Sequence, residues 1–413
     1  MINHWAIFTD NSTPLAPLAD RLLNGPQPEG FESLEGKRGA LFSTSEILRW
    51  MEEELRHDRK VLTRDREQSL QSMSSGERKK ALFAFILEEE PDYLILDNPF
   101  DNLDPSTREE LREKIMGLSA TVSVIQVLSR KSDLLPFIEK HFYWKEDKLL
   151  GTGKSETALD ELGYANEPFP EALPPPPENT VYTDRTLVEL RNVSVSFRDK
   201  KVLHRISWKI APGDFWELRG PNGSGKTTLL SLITGDSPKA YGQEINLFGH
   251  RKGSGESVWD IKQHIGYITP ALTDRFRGYH TLEQMLISGL VDSIGLYTLP
   301  TEKQRELAGS WLKLLGLADR KDHYFHDLSK GQQRLIMCAR AMIKHPSLLI
   351  LDEPTADLDD HSAQLVVHLV NKLGRESHSA ILFVSHREEP GLRPGSVLQL
   401  NPTQRGSEGI ILT

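Results

Sequence analysis

Gly220-Pro221-Asn222-Gly223-Ser224-Gly225-Lys226-Thr227 is the stretch on which the reading of this chain turns. The octet follows the strand-like run Phe215 to Leu218 and leads into the helix-like Leu229 to Thr234. A G-x-x-x-x-G-K-T string in that setting is a phosphate-binding loop. Its glycines let consecutive backbone N–H groups curl inward at a helix N-terminus, where partial positive charge favours an anion. Lys226 is expected to contact the β- and γ-phosphates of ATP, and the Thr227 hydroxyl to ligate Mg²⁺. The loop runs on through Thr228.

Working outward, Tyr93 to Leu96 and Leu348 to Leu351 are short apolar runs ending in Asp97 and Asp352. Each reads as a parallel strand buried on both faces. Ala380 to Val384 ends similarly, at Ser385-His386. In open α/β sheets nucleotides gather beyond the carboxyl ends of such strands, so each Asp belongs beside a phosphate, and Asp352 is expected to hold Mg²⁺ through its water. The punctuation also occurs twice. Met73-Ser74-Ser75-Gly76-Glu77 answers Leu328-Ser329-Lys330-Gly331-Gln332, and 329 − 74 equals 352 − 97, both 255. Leu103-Asp104 against Leu358-Asp359 keeps the same offset. The fold class is therefore α/β, with two P-loop nucleotide-binding units in tandem.

Only one of the two has an intact loop. Aligning Trp5 on Trp216, an offset of 211, sets Thr9 to Ala16 under Gly220 to Thr227. Thr9 then replaces the first glycine, Pro14 replaces Gly225, Leu15 replaces Lys226 and Ala16 replaces Thr227. Flexible backbone, cation and metal hydroxyl are lost together. The offset grows by 44 before Ser74, so the first unit is also truncated. Gly151-Thr152-Gly153-Lys154-Ser155 contains G-K-S but has Lys148 in place of the first glycine and lacks a following apolar helix; it reads as a solvated turn. Glu167 to Thr180, with Pro168, Pro170 and Pro174 to Pro177, reads as a semi-extended spacer. The expected organisation is a degenerate unit at 1–150, a Pro-rich linker at 151–184 and a complete unit at 185–413.

Composition narrows the function. A formal charge of −9 and interspersed acidic and basic residues give no basic face, so no nucleic-acid partner is expected. One cysteine, Cys338, excludes an intramolecular disulfide and fits a reducing compartment. No apolar run approaches the roughly 20 residues that span a bilayer, and the N-terminus shows no secretion signal. The expected location is the cytoplasm, or the inner face of a membrane by docking onto a separate permease.

The phosphate loop, the paired signature-like segments around Ser74 and Ser329, the acidic strand end at Asp352-Glu353 and the terminal His386 together resemble the ATP-binding-cassette (ABC) superfamily, across both halves. Trp216 to Gly235, Gly253 to Gly266 and Ser288 to Tyr297 resemble its molybdate-associated tandem-cassette branch. The resemblance implies head-to-tail pairing of the two cassettes within the chain. The loop at 220–228 would be completed by Ser74, Ser75 and Gly76, whereas Thr9 to Ala16 would face Ser329 and Gly331. It also implies that Glu353 polarises the attacking water, that His386 contacts the γ-phosphate, that Phe197 stacks on adenine, and that Asp357 and Asp359 lie in a turn crossing the cassette interface. In the first copy Asn98 stands for Glu353, and Ser129-Arg130 is expected to stand for Ser385-His386.

One departure is visible. Where the family usually carries a glutamine after the strand Ile265 to Ile268, this chain reads Thr269-Pro270, removing a side chain that couples the site to a membrane partner. Three functions follow as expectations: an ATPase that serves an ABC transport system, with an oxyanion such as molybdate as cargo; an ATP-gated regulatory or remodelling protein without a membrane partner; or a pure ATP sensor without turnover. His323 and His326, three residues apart, lack further ligands nearby and read as surface or packing residues.

Overall fold

The computed structural model describes residues 2–412 except 11, 12, 14, 58, 64–67, 102, 104, 146, 147, 152–167, 178–184, 199, 274 and 277. Pro14, Asp104 and the G-K-S residues 152–155 therefore lie outside the described residues. The chain forms two compact units, residues 1–164 with 357–361, and residues 165–356 with 362–413.

The first unit is built on one sheet of six strands: β1 (His4–Thr9), β2 (Gly39–Phe42), β3 (Tyr93–Asp97), β4 (Ser123–Leu128), β5 (Lys140–Lys145) and β6 (Lys148–Gly151), in the order β2-β3-β4-β1-β5-β6. All pairings are parallel except β5 with β6. Helices Ala16–Asn24, Thr44–His57, Ser75–Glu88 and Pro105–Leu118 connect the parallel strands. Tyr93, Leu94, Ile95 and Leu96 are fully buried, as expected of a strand with apolar side chains on both faces.

The second unit has β7 (Val188–Phe197), β8 (Lys200–Ile210), β9 (Phe215–Arg219), β10 (Glu244–Leu247), β11 (His250–Arg251), β12 (Ile265–Ile268), β13 (Leu348–Asp352), β14 (Ala380–Ser385), β15 (Ser396–Asn401) and β16 (Glu408–Leu412). Six of these form a sheet in the order β12-β13-β14-β9-β15-β16, parallel except for its last pair. Position for position this is the strand order of the first unit. A further antiparallel sheet, β11-β10-β7-β8, has no counterpart among the described residues of the first unit.

Registers show where the first unit is shorter. Trp5 pairs Ile125 as Trp216 pairs Leu382, which upholds the offset of 211 at the loop strand. Phe42 pairs Leu96 as Ile268 pairs Leu351, so the offset at the next strand is 268 − 42, or 226. The first part of the growth in offset therefore arises between β1 and β2, where the second unit places β10 and β11. The larger part arises between β2 and helix Ser75–Glu88, where the first unit has the helix Thr44–His57 and the second has Pro270–Thr273, Leu282–Ser288 and Glu302–Leu314. Even backbone strain repeats at the offset of the acidic strands. Glu90 and His345 (φ 49° each) hold the left-handed region, as do Asn98 and Glu353 (φ 39° and 49°).

The Pro-rich segment differs from the expected spacer. Its described part, residues 168–177, packs along the second unit: Phe169 is 3% exposed, the His345 Nε2 is 2.8 Å from the Pro174 carbonyl, Glu171 pairs with Lys313 at 3.2 Å, and the Leu173 N–H donates to Glu376 at 3.2 Å. Prolines suit such a strap because it offers carbonyls and apolar rings while needing few N–H partners. Burying Phe169 is worth roughly 2 kcal/mol over leaving it exposed.

Candidate functional site

Helix Lys226–Ile233 begins directly from the phosphate loop, with Gly225 as its N-cap at φ 95°. A side chain there would be strained and would meet Leu203 Cδ2 at 2.7 Å, so glycine is required twice over. Lys226 is buried, and its ammonium donates to the Gly220 carbonyl at 2.7 Å and to Pro221 at 3.3 Å. Burial lowers its pKa, with Glu353 and Asp352 acting in the opposite direction. Ser224 Oγ is buried without a hydrogen-bond partner, and Thr227 is exposed at the helix start. An orphaned hydroxyl, a buried cation folded onto its own loop and the N–H groups of a helix start form a donor set that suits a polyphosphate.

The parallel order β13-β14-β9 brings the acidic strand end to this loop. Asp352 ends β13; burial and then the Glu353 charge push its pKa up to about 6, against Lys226. Glu353 follows in the left-handed region, its N–H donating to the Val384 carbonyl at 2.9 Å. Glutamate gains nothing locally from that conformation, and such strain often marks functional positions. Its Oε1 lies 3.3 Å from His386 Nδ1, and this bond holds the Glu353 carboxyl below its ordinary range despite burial. Lys226, Asp352, Glu353 and His386 thus lie together at the loop and the strand ends. The Thr227 hydroxyl and Asp352 carboxylate are the oxygen ligands on hand for Mg²⁺, a hard cation.

Phe197 ends β7, 48% exposed, with the Lys239 ammonium 5.7 Å from its ring centre. Lys239 has no signal in the sequence that would tie it to Phe197; proximity appears only once β7 and the turn Pro238–Ala240 are folded.

The ABC transporter family model matches residues 203–356. ModF of Escherichia coli (strain K12), an ABC transporter ATP-binding protein, is 40% identical over 328 residues, covering 77% of this chain and 67% of ModF. The chain belongs to the ABC family of ATP-binding proteins. YlmA, an uncharacterized ABC transporter ATP-binding protein of Bacillus subtilis (strain 168), is 32% identical over 204 residues, 49% of this chain and 77% of its own. Among solved structures, a chain from a model of ribosome-bound archaeal Pelota and ABCE1 aligns over 99% of this chain and 74% of its own length, with a TM-score of 0.63 and 18% identity. That likeness is one of fold. The aligned region spans about two thirds of ModF.

Within this ABC protein the first cassette shows what a lost site looks like. Helix Ala16–Asn24 starts one residue later than Lys226–Ile233 does, and its N-cap, Leu15, stands at the Lys226 position and makes no side-chain cap. Asp10 turns its carboxylate onto the Thr13 N–H and hydroxyl, each at 2.9 Å, placing negative charge inside the former loop. Asn98 occupies the Glu353 position with its N–H on the Val127 carbonyl at 2.9 Å. The register corrects one expectation. Asp97 pairs Val127 as Asp352 pairs Val384, so Ser129, not Arg130, stands where His386 does. The offset has grown by two residues between β3 and β4, a shift that sequence matching one residue away could not see. Asn98 Oδ1 accepts from the Ser129 hydroxyl at 3.1 Å, a neutral echo of the Glu353–His386 pair.

The signature segments behave alike in both cassettes as helix starts. Ser74 caps Ser75–Glu88 in a capping box with Glu77, and Ser329 caps Lys330–Met342 with Gln332. Gly76 and Ser75 sit in the first turn of the former helix. Each helix also sends a cation under the turn after the acidic strand. Lys79 donates to the Asp101 carbonyl at 2.8 Å, and Arg334, its counterpart in the second cassette, donates to Ala356 at 3.4 Å. Thr269 is likewise used locally. Its hydroxyl accepts the Leu272 N–H at 3.0 Å, capping helix Pro270–Thr273 with proline in the first turn. His326 stacks on Tyr324 with centroids 5.6 Å apart, and Cys338 is fully buried, its thiol pushed up to about 12. Among the described residues no helix is long and apolar enough to cross a membrane.

Proposed function

We propose that this protein binds one ATP with Mg²⁺ at its second cassette and hydrolyses it. The convergence of Lys226, Asp352, Glu353 and His386 on one strand-end site supports this reading most directly, because phosphoryl transfer to water needs positioning and charge neutralisation. Loop N–H groups from Gly220 to Thr228 and Lys226 hold the phosphates, and Phe197 offers a face to adenine. Thr227 and Asp352 hold Mg²⁺, which when bound neutralises charge on the phosphate oxygens. Glu353, kept ionised by His386, accepts a proton from the attacking water. By family resemblance Ser74, Ser75 and Gly76 complete the site in the paired state of the cassettes.

Phosphate release from the purified chain tests this. Wild type should turn over, Lys226→Ala and Ser74→Ala should lose most activity, and Ser329→Ala should lose much less. Turnover equal in all four would overturn it.

As to role, we propose the ATP-binding component of an ABC transport system working with a separate permease at the inner face of a membrane, with an oxyanion such as molybdate as cargo. Co-purification with a membrane protein is the expected result. The use of Thr269-Pro270 as a helix start, in place of a coupling glutamine, favours a second reading: a cytoplasmic ATP-gated regulatory or remodelling protein whose turnover is indifferent to membranes.

A further inference from the structure

Glu389 is 4% exposed, and its Oε1 accepts two hydrogen bonds, from the Thr355 hydroxyl at 2.7 Å and from Arg387 Nε at 2.9 Å. Thr355, 2% exposed, lies two residues beyond Glu353, and Arg387 directly follows His386. The Ser385 hydroxyl tightens the same loop, donating to the Arg387 carbonyl at 2.6 Å and accepting its N–H at 3.1 Å. With His386 against Glu353, these contacts close a ring: Glu353, Pro354, Thr355, Glu389, Arg387, His386 and back to Glu353.

We infer that Glu389 is a positioning residue for hydrolysis, holding the loop that carries His386 to the turn that carries Glu353. A buried carboxylate is costly unless its lone pairs are filled, so Glu389 commits the loop to one arrangement. Arg387, with 23% of its side chain exposed, needs no buried partner for its own sake. The degenerate cassette supplies the contrast. At the offsets its strands define, Arg387 is kept as Arg130, but Thr355 becomes Phe100, packed in apolar core, and Glu389 becomes Ser132. The tie is missing in the copy that also lacks the glutamate and the histidine it would position.

The role rests on the hydrolytic reading above and is tested in the full chain by steady-state ATPase assays beside direct ATP binding. Glu389→Gln and Thr355→Val should each lower kcat about tenfold or more while ATP affinity stays within about threefold, and Thr355→Ser should restore most of it. In a His386→Ala background, Glu389→Gln should add less than about twofold, since it acts through the lost imidazole. An undiminished effect in that background, or unchanged kcat in both Glu389→Gln and Thr355→Val, would overturn the role and leave hydrolysis standing. A wild-type chain that releases no phosphate would remove the hydrolytic reading and this role with it.

Discussion

Lys226 and Glu353 stand at neighbouring points of one site but should fail differently when replaced. Lys226→Ala removes a buried charge-assisted donor worth about 1.5–3 kcal/mol, so ATP affinity measured by calorimetry should fall roughly ten- to a hundredfold. Glu353→Gln keeps shape and donor-acceptor reach but not basicity, so phosphate release should fall by at least about a hundredfold while ATP still binds. Equal loss of binding in the two variants would count against that division of labour. Both residues were readable from their motifs. The Glu353–His386 contact and the Glu389 ring were not, because they join positions far apart in the chain through the pairing of β13 with β14.

At the level of elements, local chemistry and paired-cassette chemistry can be separated at the two signature helices. Ser74→Ala and Ser329→Ala each remove an N-cap and should each cost about 1 kcal/mol in denaturant melts. Only the first should also abolish most phosphate release. The strap offers a different handle. His345 is buried against Pro174 and burial lowers its pKa below the ordinary 6.5. The unfolded chain therefore takes up this proton more readily than the folded one. Its contribution to stability is complete above pH 6.5 and declines as pH falls from 6.5 through the lowered folded value. His345→Asn, which accepts the left-handed backbone at this position, should flatten the melting profile across that window. An unchanged profile would dissociate His345 from the pH response. The caps were legible as S-x-x-E and S-x-x-Q, a purely local code. The strap was not: proline content announces an extended segment without saying what it lies against.

For the molecule as a whole, one sheet plan used twice and built out unequally is the main theme. Both units keep the same six-strand order, while among the described residues the first has no counterpart of β10 and β11 and is shorter between β2 and its signature helix. With Asp10 turned into the old loop and Lys226 kept in the intact one, equilibrium dialysis should find one ATP per chain, and Lys226→Ala should reduce that toward zero. Two equivalent sites would contradict the asymmetry.

Fold class, the tandem repeat, the intact loop and the ruined one were determined by sequence alone, since each rests on residue types at short fixed spacings: glycines that must curl, a lysine that must reach a phosphate, an aspartate ending an apolar strand. Tertiary structure decided what depends on strands side by side. Register showed that Ser129 stands for His386, pairing brought Glu389 to Thr355, and packing laid the proline segment onto the second unit. Spacing along a chain carries local geometry, whereas a two-residue slip between distant strands changes no local preference and shows only in which carbonyl meets which N–H.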